Sequence, residues 1–229
     1  MSNSLPLFPL GSVLFPGVML PLHVFEQRYR ALMQSLLDRP GDRPRQFGVI
    51  TLRAGDSVDP DAQDPAAALH TVGCMAELRE VDSKSDGTYD VLTVGVRRFR
   101  LLSVDGSRAP YLIGHVDWLP AEPEPGPEAD LLASHASALF RGYLEAITAT
   151  GSVEVTPADL PTDPALLSYL IASATLLSTD DRQRLLECPA TTDRLRLEAA
   201  LLRRETVFLR ELHAVPMAVS EYSEEPSSN

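Results

Sequence analysis

His23, Glu26 and Arg28 bring an imidazole, a carboxylate and a guanidinium close together in sequence, a set on which acid–base or metal chemistry would draw. Near the start of a helix the same residues have a simpler use. Glu26 favours the positive end of the helix dipole, and His23 can cap it or satisfy a buried carbonyl. The histidines His23, His70, His115, His135 and His213 form no spaced cluster with Cys74 or Cys188, and neither His-Glu-x-x-His nor Cys-x-x-Cys occurs. No metal site and no cofactor are therefore expected. No serine sits in a Gly-x-Ser-x-Gly elbow, and the one lysine, Lys84, stands in Ser-Lys-Ser-Asp-Gly. A phosphate-binding loop needs Gly-x-x-x-x-Gly-Lys-Ser/Thr instead. Arg97, Arg98 and Arg100 form the dense basic stretch of the first half. On a strand Arg98 and Arg100 share one face and Arg97 and Phe99 the other. They read as a solvated strand face, with an anionic ligand or RNA as the alternative contact.

The elements that carry these residues follow from the apolar spacing. From Leu5 to about Leu119 short apolar segments alternate with turns, predicting a β domain with one inserted helix. Leu5 to Leu10 contains Pro6 and Pro9, which cannot donate to a ladder, so it is expected on a sheet edge. Val13-Leu14-Phe15 runs into the Pro16-Gly17 turn, and extended chain resumes from Val18 to Leu22. Phe25, Tyr29, Leu32, Met33, Leu36 and Leu37 fall at helical spacing, predicting a helix over 24–37 that Arg39-Pro40-Gly41-Asp42 stops. Further strands are predicted at 47–52, 71–81, 88–104 and 111–119, with the polar turn Asp82 to Gly87 joining two of them as a hairpin. Residues 54–69, rich in Asp, Pro and Ala, read as a solvated loop.

Near residue 120 the apolar period changes from about two to about 3.6, which predicts a helical unit. The Pro/Glu-rich stretch 120–130 reads as a stiff acidic linker. Within 131–214, Leu132, Ala136, Leu139, Phe140, Tyr143 and Ile147 form one stripe. Thr162-Asp163-Pro164 supplies a cap and a first-turn proline for a second helix. A short helix is predicted from Thr179, with Asp180 and Asp181 at its positive end, and a last one from Thr192-Asp193 to about His213, burying Leu195, Ala199, Leu202 and Leu209. Residues 215–229 read as a disordered acidic tail.

The 229 residues, 44% hydrophobic, suffice for a real core. A net charge of −12 repels phosphate backbones, so nucleic acid is disfavoured as a partner. Pro6, Pro9, Pro16 and Pro21 interrupt the first apolar run. Neither a signal peptide nor a membrane-spanning helix is expected, and the location expected is cytoplasmic. Cys74 and Cys188 read as reduced structural thiols.

Two blocks carry a family pattern. The first runs Leu5-Pro-Leu-Phe-Pro-Leu-Gly-Ser-Val-Leu-Phe-Pro-Gly-Val-Met-Leu-Pro-Leu-His-Val-Phe-Glu-Gln-Arg-Tyr29, followed by Phe47-Gly-Val-Ile50. The second joins Val72-Gly-Cys-Met-Ala-Glu-Leu-Arg-Glu-Val81 to Gly95-Val-Arg-Arg-Phe99. Together, in this order, they resemble the N-terminal substrate-binding domain of Lon proteases. The resemblance implies an α+β protein: a PUA-like pseudo-barrel β domain over 1–119, then an α-helical bundle. It further implies a non-catalytic module that engages unfolded or damaged polypeptides, with a separate ATP-dependent protease as a candidate partner. Neither the Walker A loop of the Lon ATPase nor its Ser-Lys peptidase domain is expected in these residues. A PUA-like RNA-binding protein and an unrecognised hydrolase are the alternatives.

Site expectations follow. The apolar run from Phe8 to Met19 is a candidate peptide-binding surface through Phe8, Leu10, Phe15 and Met19, taking a strand by addition. The competing reading is that most of these side chains fill the barrel. A groove between barrel and helices is the expected place for a ligand. Glu26 and Arg98, one in each family block, are expected to form a structural ion pair.

Overall fold

Two prolines do not keep the first strand at an edge. The computed structural model describes residues 3–40, 44–53, 55, 65–124, 126–149 and 160–212. In it β1 (Asn3–Leu10) lies between β6 (Ile113–Trp118) and β3 (Gln46–Thr51). Asn3 to Pro6 pair antiparallel with β6, and Leu7 to Leu10 pair parallel with β3. Each half thus has a ladder on one side only, and this exchange of partners accommodates the prolines in an interior strand. The remaining strands are β2 (Met19–Val24), β4 (Val72–Ser83) and β5 (Tyr89–Asp105), giving the order β2-β5-β4-β3-β1-β6 with β6 returning to β5. The closing pairing makes a barrel. β2 sits outside it, on the first half of β5 alone, and is the sheet's edge. The predicted hairpin joins β4 to β5.

Both glycines of the second sequence block make close approaches possible. A Cβ on Gly95 would lie 2.1 Å from the Phe15 carbonyl oxygen, and one on Gly73 would lie 2.5 Å from the Phe99 ring. Phe99 is fully buried. It fills the barrel with Leu5, Leu7, Ile50 and Val116.

α1 (Gln27–Leu37) starts three residues later than its periodicity predicts, because Val24 still pairs with Tyr89 and is buried as a strand residue. The helix lays Tyr29, Leu32, Met33 and Leu36 on Phe8, Val24, Phe47 and Val91. Each such side chain contributes about 1.5–3 kcal/mol. Within the expected loop 54–69, residues 65–68 form a short 3-10 turn (Pro65–Ala68); residues 54 and 56–64 lie outside those described, as does the expected tail.

The helical unit comprises α2 (Pro127–Ala149), α3 (Pro164–Ala174), α4 (Thr179–Glu187) and α5 (Thr191–Leu212). α2 begins inside the stretch expected as linker. Asp163 caps α3 by accepting from the Leu166 amide, with Pro164 in the first turn, and Ser178 caps α4. Phe140, Tyr143, Ile171, Leu195 and Leu202 form the bundle core. Phe15 and Val72 of the barrel share a separate cluster with Tyr169, Ala172, Leu185 and Leu201, so barrel and helices meet through packed apolar side chains. Where these side chains meet, no groove separates barrel from helices.

Candidate functional site

The three residues near the start of α1 do not converge. His23 Nδ1 lies 2.7 Å from an Asp90 carboxylate oxygen across the β2–β5 pair, while Glu26 accepts from Arg28 Nε at 2.9 Å. The described residues contain no group of three or more His, Cys, Asp or Glu placed to hold a metal ion. Cys74 is buried and Cys188 half-buried, and neither is in a disulfide. Burial pushes the Cys74 thiol up to about 12 and raises Cys188 as well, the reverse of what an activated nucleophile needs. These positions supply no constellation for acid–base or nucleophilic chemistry.

The expected Glu26–Arg98 pair is replaced by two others. Glu26 follows the end of β2 that faces Tyr89, and Arg98 lies nine positions beyond Tyr89 along β5, roughly 30 Å of strand. Arg98 points away from the barrel interior, as strand alternation requires, but the helices cover it, so the strand face is not solvated there. Its guanidinium meets Glu122 at 2.9 Å and donates to the carbonyls of Leu186 and Cys188 at 2.8 and 2.5 Å. Arg194, fully buried, grips both Glu122 oxygens at 2.9 Å and donates to the Ser168 hydroxyl at 2.7 Å. The Tyr169 and Thr191 hydroxyls complete the set, each donating to Glu122 at 2.5 Å. Burial pushes the Glu122 carboxyl up, but Arg194 and the two hydroxyls outweigh it and hold it at about 2. Glu122, expected in a solvated linker, is instead the hub that ties β5 to α3 and α5. Arg97 stacks its guanidinium over Trp118 at 5.3 Å, and Arg100 is exposed. The three arginines form no common basic face.

A different region is open. Along β2 and into the next turn, Met19, Pro21, His23 and Phe25 are exposed at every second position, while Leu20 and Leu22 turn toward α1 and Val24 is buried. Met19 is 58% exposed and Phe25 63%. Beside them on β5, Leu92 and Val94 are half-buried and Val96 is exposed. A depression of about 580 Å³ crosses the same face, with Pro21, His23, Leu92, Asp90, Asp82 and Glu80 in its lining. β2 pairs only with β5 among the described residues, which leaves its other edge without a ladder.

Of the residues expected to bind peptide, Phe8 and Phe15 are buried, one stacked on Tyr29 at 4.2 Å and the other against Tyr169 in the barrel–helix cluster. Both are core side chains, and Leu10 packs half-buried against the α1 core. Met19 alone is on the open face. Phe25, counted with the apolar helix stripe, precedes α1 and belongs to this face too. The period of two from Met19 to Phe25 was the available signal for it.

Residues 4–204 match the family of the ATP-dependent protease La (LON) substrate-binding domain. Lon protease 2 of Myxococcus xanthus is 29% identical over 218 residues, covering 94% of this chain and 25% of that protein. Lon protease of Escherichia coli strain K12 is 23% identical over 215 residues, again 25% of its length. The chain thus spans about a quarter of the curated relatives it matches. The crystal structure of a Lon N-terminal domain protein from Xanthomonas campestris superposes with a TM-score of 0.61 at 27% identity, covering 86% of this chain and 98% of that one. The N-terminal domain of Mycobacterium avium complex Lon protease, 20% identical, shares the fold with a TM-score of 0.60. Among the described residues no helix is long and apolar enough to cross a membrane. The chain belongs to the Lon substrate-binding domain family.

Proposed function

We propose that this family member captures unfolded or damaged polypeptides on the outer face and free edge of β2, performs no chemistry on them, and serves in the cytoplasm as an adaptor to a separate ATP-dependent protease. The observation that carries the reading is the row of exposed side chains at Met19, Pro21, His23 and Phe25 on a strand with an open edge. An extended segment can add to such an edge through its backbone, whatever its sequence, while its apolar side chains cover Met19 and Phe25. Unfolded chains offer extended backbone and exposed apolar residues together; folded ones do not.

The test is fluorescence anisotropy with a labelled, reduced and alkylated polypeptide that cannot refold, against the same protein in its folded form. Wild type binds the unfolded form only. Met19→Ser/Phe25→Ser weakens binding about ten-fold, as expected when two exposed apolar contacts are lost, with an unchanged circular-dichroism spectrum. Undiminished binding by the double variant would remove β2 as the site.

A further inference from the structure

The face carrying Met19 and Phe25 is not neutral. Glu80 and Asp82 on β4, Asp90 on β5 and Asp86 in the hairpin turn are all exposed around it. Lys84 is the one ammonium among them, 2.6 Å from Asp82 and 2.9 Å from Asp90. His23 shares Asp90 at 2.7 Å. Arg30 reaches the hairpin at Gly87 from α1, within 2.2 Å of where a Cβ there would stand. Four carboxylates therefore outnumber the Lys84 ammonium and the Arg30 guanidinium beside the depression, and Glu80, Asp82 and Asp90 are among the residues that line it. The chain as a whole carries −12, so distant charge reinforces the local sign.

We infer that the β2 face selects extended polypeptide segments in which a lysine or arginine lies between apolar residues on the same side of the strand. The inference rests on the proposed function and specifies its substrate class. Successive side chains on one face of a strand are two residues apart. A segment laid beside β2 thus places apolar groups near Met19 and Phe25 when a residue between them lies opposite Pro21 or His23. From there a long cationic side chain reaches across His23 toward Asp90 and Glu80, with its aliphatic stem on Leu92 and Pro21. An acidic residue at the same place meets like charge. A flexible Lys or Arg suits the site better than a fixed cation because the carboxylates are solvated and spread over two strands.

The test uses two short fluorescein-labelled peptides, identical except that the lysine between apolar residues in one is glutamine in the other. Each is titrated with wild type and with Glu80→Gln/Asp90→Asn at low and high salt. Wild type binds the lysine peptide roughly three- to ten-fold more tightly at low salt, the range expected of one or two exposed charge pairs. High salt removes the preference, and so does the double variant. Equal binding of the two peptides by wild type, or a preference that survives in Glu80→Gln/Asp90→Asn, overturns the inference and leaves apolar capture standing. Failure of both peptides to bind overturns capture and selectivity together. Self-association that both peptides compete away would give the face to a second copy of this chain and overturn the inference as well.

Discussion

The barrel–helix junction and the β2 face contain the same kinds of residue and put them to opposite uses. At the junction Arg98, Arg194 and Glu122 are withdrawn from water and every contact closes on another protein group. On the β2 face His23, Lys84, Asp82 and Asp90 pair in solvent, where such pairs contribute little, and the apolar side chains among them have no neighbour to cover them. A junction between two structural units draws attention as a place for ligands, yet here Arg98, Arg194 and Glu122 are spent on one another and on neighbouring carbonyls and hydroxyls. The proposed capacity for binding lies where apolar surface and backbone edge remain unsatisfied.

If that contrast holds, damage at the junction costs stability and damage at the face costs binding. The largest effect belongs to Glu122→Ala, which leaves Arg98 and Arg194 buried without their carboxylate. We expect a loss of about 3–5 kcal/mol in urea unfolding, with unfolded-polypeptide affinity unchanged in the fraction that folds. Next is Gly95→Ala, where the new methyl meets the Phe15 carbonyl; overpacking against backbone lowers stability by about 1–3 kcal/mol.

Glu198 sharpens the picture from the opposite direction. It is buried on α5, neither carboxylate oxygen has a hydrogen-bond partner among the described residues, and burial pushes its carboxyl well above the ordinary value despite Arg194. A carboxyl with a raised folded pKa contributes stability below its unfolded value near 4.5 and loses it as pH rises toward the folded value. Glu198→Met should therefore exceed wild type by about 1–3 kcal/mol at mildly alkaline pH, with the gap narrowing in acid. Glu122 has the other sign: its folded carboxyl is held at about 2, so its contribution is complete above 4.5 and is lost as pH falls between these values. Thermal unfolding across pH separates the two glutamates. The smallest stability change, under about 0.5 kcal/mol, belongs to Met19→Ser/Phe25→Ser, the variant whose binding suffers most.

Most elements were legible in the sequence, because periods of two and 3.6, the cap at Asp163 and the acidic first turn at Asp180 and Asp181 are local signals. Strand neighbours beyond the β4–β5 hairpin were not. Pro6 and Pro9 argued for an edge, and nothing local revealed that β1 changes partner midway. The hub carboxylate was hidden by composition, since Glu122 lies among prolines and acids that resemble a solvated linker while Arg194 is 72 residues away. A usable trace existed in α5: Thr191, Arg194, Leu195, Glu198, Ala199 and Leu202 follow one helical face, so two charged residues stand in the core phase and call for buried partners. The open face was half legible. Met19 was placed on it, whereas Phe8 and Phe15 resemble surface candidates by density of apolar residues but fill cores that form only when the barrel closes and the helices dock.

Amide hydrogen exchange with and without saturating reduced and alkylated polypeptide tests the location of capture most directly. Exchange is expected to slow in β2 and the adjoining half of β5, around 19–25 and 91–96, with the junction segments near 119–122 and 186–194 unchanged. Protection confined to those junction segments, with β2 exchanging as in the free protein, would contradict capture at β2.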